Sequence, residues 1–126
     1  MEEIKITSLE KIFQDSRGET FHVFNDRSGN FMLSYRKAGT SSGRHYHTGK
    51  SSNKNPEILY ILSGEVIMRW RKLEDKETLE MKMKAPARVE IPVMLWHELW
   101  AVTDCSFWEM NSLEDVQNDS IRVEPA

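Results

Sequence analysis

The stretch "GRHYHTGKSSNKNPEILYILSGE" (43–65) decides how this chain is read. It sets His45 and His47 one residue apart, follows them with a polar run, and opens an apolar, β-branched run on Glu57. On an extended strand side chains alternate between faces, so both histidines project the same way, about 7 Å apart at the backbone. Ser63-Gly64 lies between "EILYIL" and "EVIMRW" and reads as a two-residue hairpin turn, pairing Leu62 with Glu65 and Ile61 with Val66. Alternation then places Glu57, Leu59, Ile61, Val66, Met68 and Trp70 on one face. Ile58, Tyr60, Leu62, Ile67 and Arg69 take the other. Both faces are largely apolar, which predicts a sheet covered twice, by a barrel interior and by a second sheet or subunit. A homodimer is the simple form of that second cover.

Outward from this stretch the chain keeps the same grammar. Turn clusters "DSRGE" (15–19), "NDRSGN" (25–30), "AGTSSG" (38–43) and "SGE" (63–65) separate short runs rich in Val, Ile, Phe, Tyr and Trp. These runs are 20–24, 31–37, 57–63, 65–73, 88–92, 97–102 and 106–111. In "LEDKETLEMKMK" (73–84), Leu79, Met81 and Met83 alternate with charged residues, the period of a strand and not of a helix. The polar tail 112–126 reads as a short helix or a loose end. The prediction is an all-β protein with one domain over 1–126, its core at about 20–111, and a peripheral N-terminal strand and C-terminal tail.

Composition narrows the function classes. A chain of 126 residues holds one core, and 39% hydrophobic residues with four Trp exclude global disorder. Seventeen Lys and Arg against 20 Asp and Glu give a net charge of -3, which argues against a nucleic-acid partner. Cys105 is the only cysteine, so no intrachain disulfide is possible. The charged start "MEEIKITSLEKIF" and the lack of a long apolar run predict a cytoplasmic protein with no membrane partner.

The chemistry sits on histidines and one carboxylate. Glu57 faces inward with Leu59 and Ile61, and "IPVMLWH" delivers His97 to the start of a third strand. His45, His47, Glu57 and His97 together suit a divalent transition metal: imidazole favours ions such as Zn, Fe and Ni, and the carboxylate inclines the set toward Fe or Mn. Arg17 and Arg44 are candidate grips for a diphosphate, since a guanidinium binds phosphate oxygens two at a time. His22 reads as a spare strand histidine, the four Trp as core or dimer contacts, and Cys105 as a structural thiol. Arg69 and Arg71 fall on the outward face, "KSSNK" (50–54) reads as a solvated loop or as a lid over the barrel mouth, and Tyr60 should face away from the site.

These residues carry a resemblance. Gly39-x5-His45-x-His47-x9-Glu57-x6-Gly64 resembles the first signature of the cupin superfamily, with a nine-residue spacer where cupins usually have three or four residues. The longer spacer reads as an extended hairpin loop, an insertion of small entropic cost. Pro92-x-Met94-x-x-His97 is similar to part of the second signature, with Met94 in place of its usual glycine. The resemblance implies a double-stranded β-helix, a jelly-roll barrel, with His45, His47, Glu57 and His97 as its four metal ligands. More narrowly, "DSRGE", "GRHYH" and "ARVEIPVMLWHEL" resemble cupins acting on sugar nucleotides, namely the C-terminal cupin domain of capsular-polysaccharide reductases, dTDP-sugar 3,4-ketoisomerases and deoxysugar epimerases. That implies a nucleotide-sugar ligand and, for the ketoisomerases, His45 and His47 as an acid–base pair acting without a metal. Three function classes stay open: a sugar-nucleotide isomerase or epimerase, an iron-dependent dioxygenase of a small organic substrate, and a non-catalytic binding or sensor module.

Overall fold

The apolar alternation of residues 57–72 is satisfied between two sheets and not within one hairpin. The computed structural model describes residues 3–124. Its strands, in chain order, are β1 (Lys5–Ser8), β2 (Glu10–Asp15), β3 (Gly18–His22), β4 (Met32–Arg36), β5 (Ser41–Tyr46), β6 (Glu57–Ser63), β7 (Glu65–Lys72), β8 (Leu79–Lys84), β9 (Ala87–Ile91), β10 (Leu95–Ala101), β11 (Cys105–Glu109) and β12 (Ile121–Arg122). One helix, α1 (Leu113–Asn118), precedes the last strand and is capped by Ser112. One sheet runs β1-β9-β6-β11-β4 and the other β12-β5-β10-β7-β8, every pair antiparallel. The expected all-β jelly roll is the architecture.

The hairpin expected at Ser63-Gly64 is absent. β6 pairs with β9 and β11, and β7 with β8 and β10, so Leu62 does not face Glu65, nor Ile61 Val66. Gly64 is the corner where the chain leaves one sheet for the other. Its φ of +86° is open to glycine, and an added Cβ would lie 2.3 Å from the Asp104 carbonyl oxygen. The spacer 48–56 is likewise a crossover between sheets and no hairpin loop, since β5 and β6 lie in different sheets. Part of the "AGTSSG" turn is strand too: Ser41 to Gly43 begin β5.

The inward face is as the alternation has it, because period 2 fixes a face whichever neighbour pairs. Leu59, Ile61, Val66, Met68 and Trp70 pack with Val89, Ile91, Leu99 and Phe107 between the sheets. Each aliphatic side chain fully buried there contributes roughly 1.5–3 kcal/mol. The N-terminal strand is less peripheral than expected, since β1 closes the first sheet against β9 and Ile4 is buried in the core. On the opposite face Ile58 and Tyr60 are covered by Met110 and Leu9 of the same chain, and the Tyr60 hydroxyl donates to the Phe24 carbonyl. Their cover therefore needs no second subunit. β2 and β3 form a separate two-stranded hairpin whose residues are mostly exposed. Among the described residues no helix is long and apolar enough to cross a membrane.

Candidate metal centre

β5 and β10 pair so that His45 stands opposite His97. A bulge follows, where Glu98 pairs with Gly43 and Arg44 takes a left-handed φ of 59°. The extra residue sends Arg44 to the outer face, where its Nε lies 3.0 Å from Glu98. The chain beyond β5 brings in His47, fully buried, and β6 opens on Glu57, which is 3% exposed. One ligand atom from each of His45, His47, Glu57 and His97 lies within 4.8 Å of the others. The structure thus brings together all four residues of the sequence-derived quartet.

The ring orientations are set from behind. His47 Nδ1 donates to the Asp119 carbonyl at 2.5 Å and His97 Nδ1 to the Leu95 carbonyl at 3.0 Å. Backbone carbonyls only accept, so each Nδ1 carries a hydrogen and each ring turns its Nε2 toward the cluster. Both Nε2 atoms aim at Glu57 Oε1, at 3.2 and 3.3 Å, and His97 Nε2 has no hydrogen-bond partner. Burial alone would raise the Glu57 pKa; the His47 and His97 contacts and the Lys54 charge outweigh it and hold the carboxyl well below its usual range. Two imidazole nitrogens, one of them with no hydrogen-bond partner, thus converge with a carboxylate oxygen in a buried site. A divalent ion fits that donor set, with outer hydrogen bonds of the kind that orient metal-binding imidazoles.

Three residues that the sequence reading did not single out complete the centre. Lys54, expected in a solvated loop, is 1% exposed, and its Nζ lies 2.6 Å from Glu57 Oε2. Asn111, fully buried, donates to the same oxygen at 3.1 Å. Asp119 accepts from Thr48 N, Thr48 Oγ1, Gly49 N and Ser51 N between 2.7 and 3.1 Å, so it ties down the spacer as its carbonyl holds His47. The tail expected to be peripheral therefore builds the site. Met94, where the related signature has glycine, adopts φ 61°, and its N–H donates to the His47 carbonyl at 2.7 Å.

A cavity of about 140 Å³ opens onto the cluster, lined by His45, Glu57 and His97 and then by Arg36, Ser42, Phe107 and Glu109. Arg36 donates to Ser42 Oγ at 2.7 Å and stands 5.6 Å over the Phe107 ring. Ser34 donates to Glu109 Oε2 at 2.7 Å. Arg36 and Glu109 were readable in principle, since both occupy inward positions of strands that are otherwise apolar or small. His47 does not line this cavity, so of the His-x-His pair only His45 faces it.

Arg17 and Arg44 are not brought together. Arg17 sits in the turn of the β2–β3 hairpin, bound to Asp15 at 2.9 Å, and Arg44 is held between Glu98 and Glu124; neither lines the cavity. His22 is exposed, Tyr35 is 72% exposed, and Tyr60 faces away from the cluster. Trp70 and Trp96 are buried while Trp108 is 41% exposed. Burial pushes the buried Cys105 thiol up, away from nucleophilic use.

The cluster makes folding pH-dependent. Burial, reinforced by His97 and His47, pushes the His45 pKa from 6.5 down to about 3. The unfolded chain takes up a proton at His45 near pH 6.5 and the folded protein does not until about pH 3. Stability from this residue is therefore complete above about pH 6.5 and is lost as pH falls toward 3. In metal-free buffer the urea midpoint at pH 5 should lie below that at pH 7.5, and His45→Gln should flatten the difference.

With the geometry in place, the chain can be set against known proteins. A family model described as the polysaccharide biosynthesis C-terminal domain matches residues 13–120. The chain belongs to that family. Among solved structures, the chain is similar to the QdtA sugar 3,4-ketoisomerase from Thermoanaerobacterium thermosaccharolyticum in complex with TDP, at 16% identity and TM-score 0.71, covering 95% of this chain and 88% of that one. It is also similar to dTDP-4-dehydrorhamnose 3,5-epimerase from Sulfolobus tokodaii, at 15% identity and TM-score 0.72, over 96% and 77% of the two chains. The capsular polysaccharide assembling protein CapF from Staphylococcus aureus matches at 23% identity and TM-score 0.62, over 94% of this chain but 33% of CapF. At these identities the likeness is one of fold. No curated protein sequence matches the chain.

Proposed function

We propose that this family member binds a nucleotide sugar and isomerises or epimerises its keto-sugar ring by proton transfer. The observation that carries the reading is one small cavity joining a neutral imidazole, a carboxylate and a guanidinium: His45, Glu109 and Arg36. At about 140 Å³ it is smaller than the pockets that enclose drug-sized ligands, so it takes one ring and leaves the nucleotide at the mouth. Solved structures of the same fold support this, since the QdtA ketoisomerase is crystallised with TDP and, as a mutant, with a TDP-keto-sugar. A keto group acidifies the C–H beside it. In the proposed step His45, neutral at physiological pH, accepts that proton, and the bond electrons pass to the carbonyl oxygen as an enediolate. Arg36 holds the negative oxygen, and returning the proton to the neighbouring carbon or the other face completes the reaction. A divalent ion held by His45, His47, Glu57 and His97 would supply Lewis-acid stabilisation of such an oxygen. His45 would then be a ligand, and Glu109 would be the other proton acceptor on the cavity wall.

The test is a panel of dTDP-, UDP- and GDP-linked keto sugars in D₂O. The expected result is a rise in melting temperature with at least one of them, and deuterium entering the ring carbon beside the keto group. Arg36→Met should lower the exchange rate by about 10²-fold or more, the scale of losing one oxyanion partner. No thermal shift and no exchange with any member of the panel would overturn the reading. Substrate-stimulated O₂ uptake by the iron-loaded protein would favour the oxygenase class instead.

A further inference from the structure

We propose that Lys54 is a built-in counter-ion of the metal centre: it confines Glu57 to one ligating oxygen and holds down the centre's affinity for divalent cations. The proposal rests on the reading that the quartet binds such an ion, and it goes beyond it to a residue outside the ligand set.

The geometry is specific. Glu57 has two oxygens with separate duties: Oε1 faces His47 and His97, while Oε2 is taken by Lys54 Nζ at 2.6 Å and Asn111 Nδ2 at 3.1 Å. A carboxylate whose second oxygen is held by a cation and an amide offers a metal one atom. Lys54 itself has nowhere else to go. It is 1% exposed, it forms an isolated β-bridge with Glu57, and its N–H donates to the Ser51 carbonyl at 2.9 Å. The segment leading into it is pinned by Asp119 on Thr48, Gly49 and Ser51 and by Arg27 on the Ser52 carbonyl. A lysine is almost never this buried without a partner that needs its charge.

The Lys54 ammonium already faces the one carboxylate of the quartet at 2.6 Å, so that negative charge is offset without a metal ion. A divalent cation entering the site meets a resident positive charge within the same buried cluster, where Coulomb terms are weakly screened.

The experiment measures Zn²⁺ and Co²⁺ affinity by chelator competition at fixed neutral pH in wild type, Lys54→Met, Lys54→Gln and Lys54→Arg. It also follows visible absorption of the Co²⁺ forms, which weakens as coordination number rises. Met and Gln should each bind at least about tenfold more tightly than wild type. Their Co²⁺ bands should weaken as Oε2 joins the metal, their apo forms should melt lower, and Arg should restore wild-type affinity. A variant that folds only with Zn²⁺ present counts with this result, because metal binding then supplies the missing charge. A supporting lysine with no electrostatic role would instead give Met and Gln proteins that bind the metals equally or more weakly, or that do not fold with Zn²⁺ present. Either outcome overturns the proposal and leaves the metal centre standing. Failure of all four proteins to bind either ion overturns the metal reading together with the role of Lys54.

Discussion

Gly64→Ala should cost 3 kcal/mol or more of folding stability, enough to unfold a domain of ordinary margin. The added methyl would sit 2.3 Å from the Asp104 carbonyl oxygen, 2.8 Å from Thr103 Oγ1 and 2.9 Å from Cys105 Cβ, and φ at this residue is +86°. None of these neighbours is free to yield. The Thr103 hydroxyl accepts from Glu65 N at 3.0 Å, the Gly64 carbonyl accepts from Ala85 N at 3.0 Å, and Cys105 begins β11. Relief would therefore have to move the link between the two sheets. Gly39→Ala is the matched control: φ there is +83°, yet nothing lies within 4 Å of the added carbon. It should cost only the left-handed penalty of roughly 1–2 kcal/mol. Urea unfolding of the two variants separates crowding from backbone strain, and similar losses in both would show that Gly64 is not a packed corner.

This corner also shows where reading the sequence stops. Alternation predicts the inward set Glu57, Leu59, Ile61, Val66, Met68 and Trp70 because period 2 depends on a strand's own residues. Pairing depends on distant ones. Ser63-Gly64 carries the local chemistry of a hairpin turn, and the same positive φ serves a crossover equally well; the pairing of β8, β9, β10 and β11, all later in the chain, decides between them. The quartet was legible because histidine and glutamate at inward strand positions are conspicuous against apolar neighbours. Its supports were not. Asp119 acts on His47 from 72 residues away, in a tail whose composition is that of any polar end. Lys54 sits in a Ser- and Asn-rich run that reads as solvated, and only the fold of the crossover reveals that its ammonium is enclosed. Charge patterns along a chain expose ligands more readily than the groups that orient them.

The second large effect is expected from Glu57→Gln, which keeps the shape of the side chain and removes its charge. Lys54 is then a buried ammonium facing an amide, and breaking a buried ion pair on one side typically costs about 3–5 kcal/mol. The metal-free variant should therefore melt far below wild type although no volume has changed. Metal affinity should fall by more than about 100-fold, since loss of mere outer-shell partners already costs 10–100-fold. The sign is opposite to that expected for Lys54→Met, because one substitution deletes the negative partner and the other the positive. The double variant Lys54→Met/Glu57→Gln decides between charge and ligation. Removing both ions at once leaves no uncompensated charge, so apo stability should return most of the way to wild type, while metal affinity should stay as low as in Glu57→Gln alone. If the double variant is as unstable as Glu57→Gln, the ion pair is not what holds this end of the barrel together. The Asn111 and histidine contacts to Glu57 would then have to carry that role.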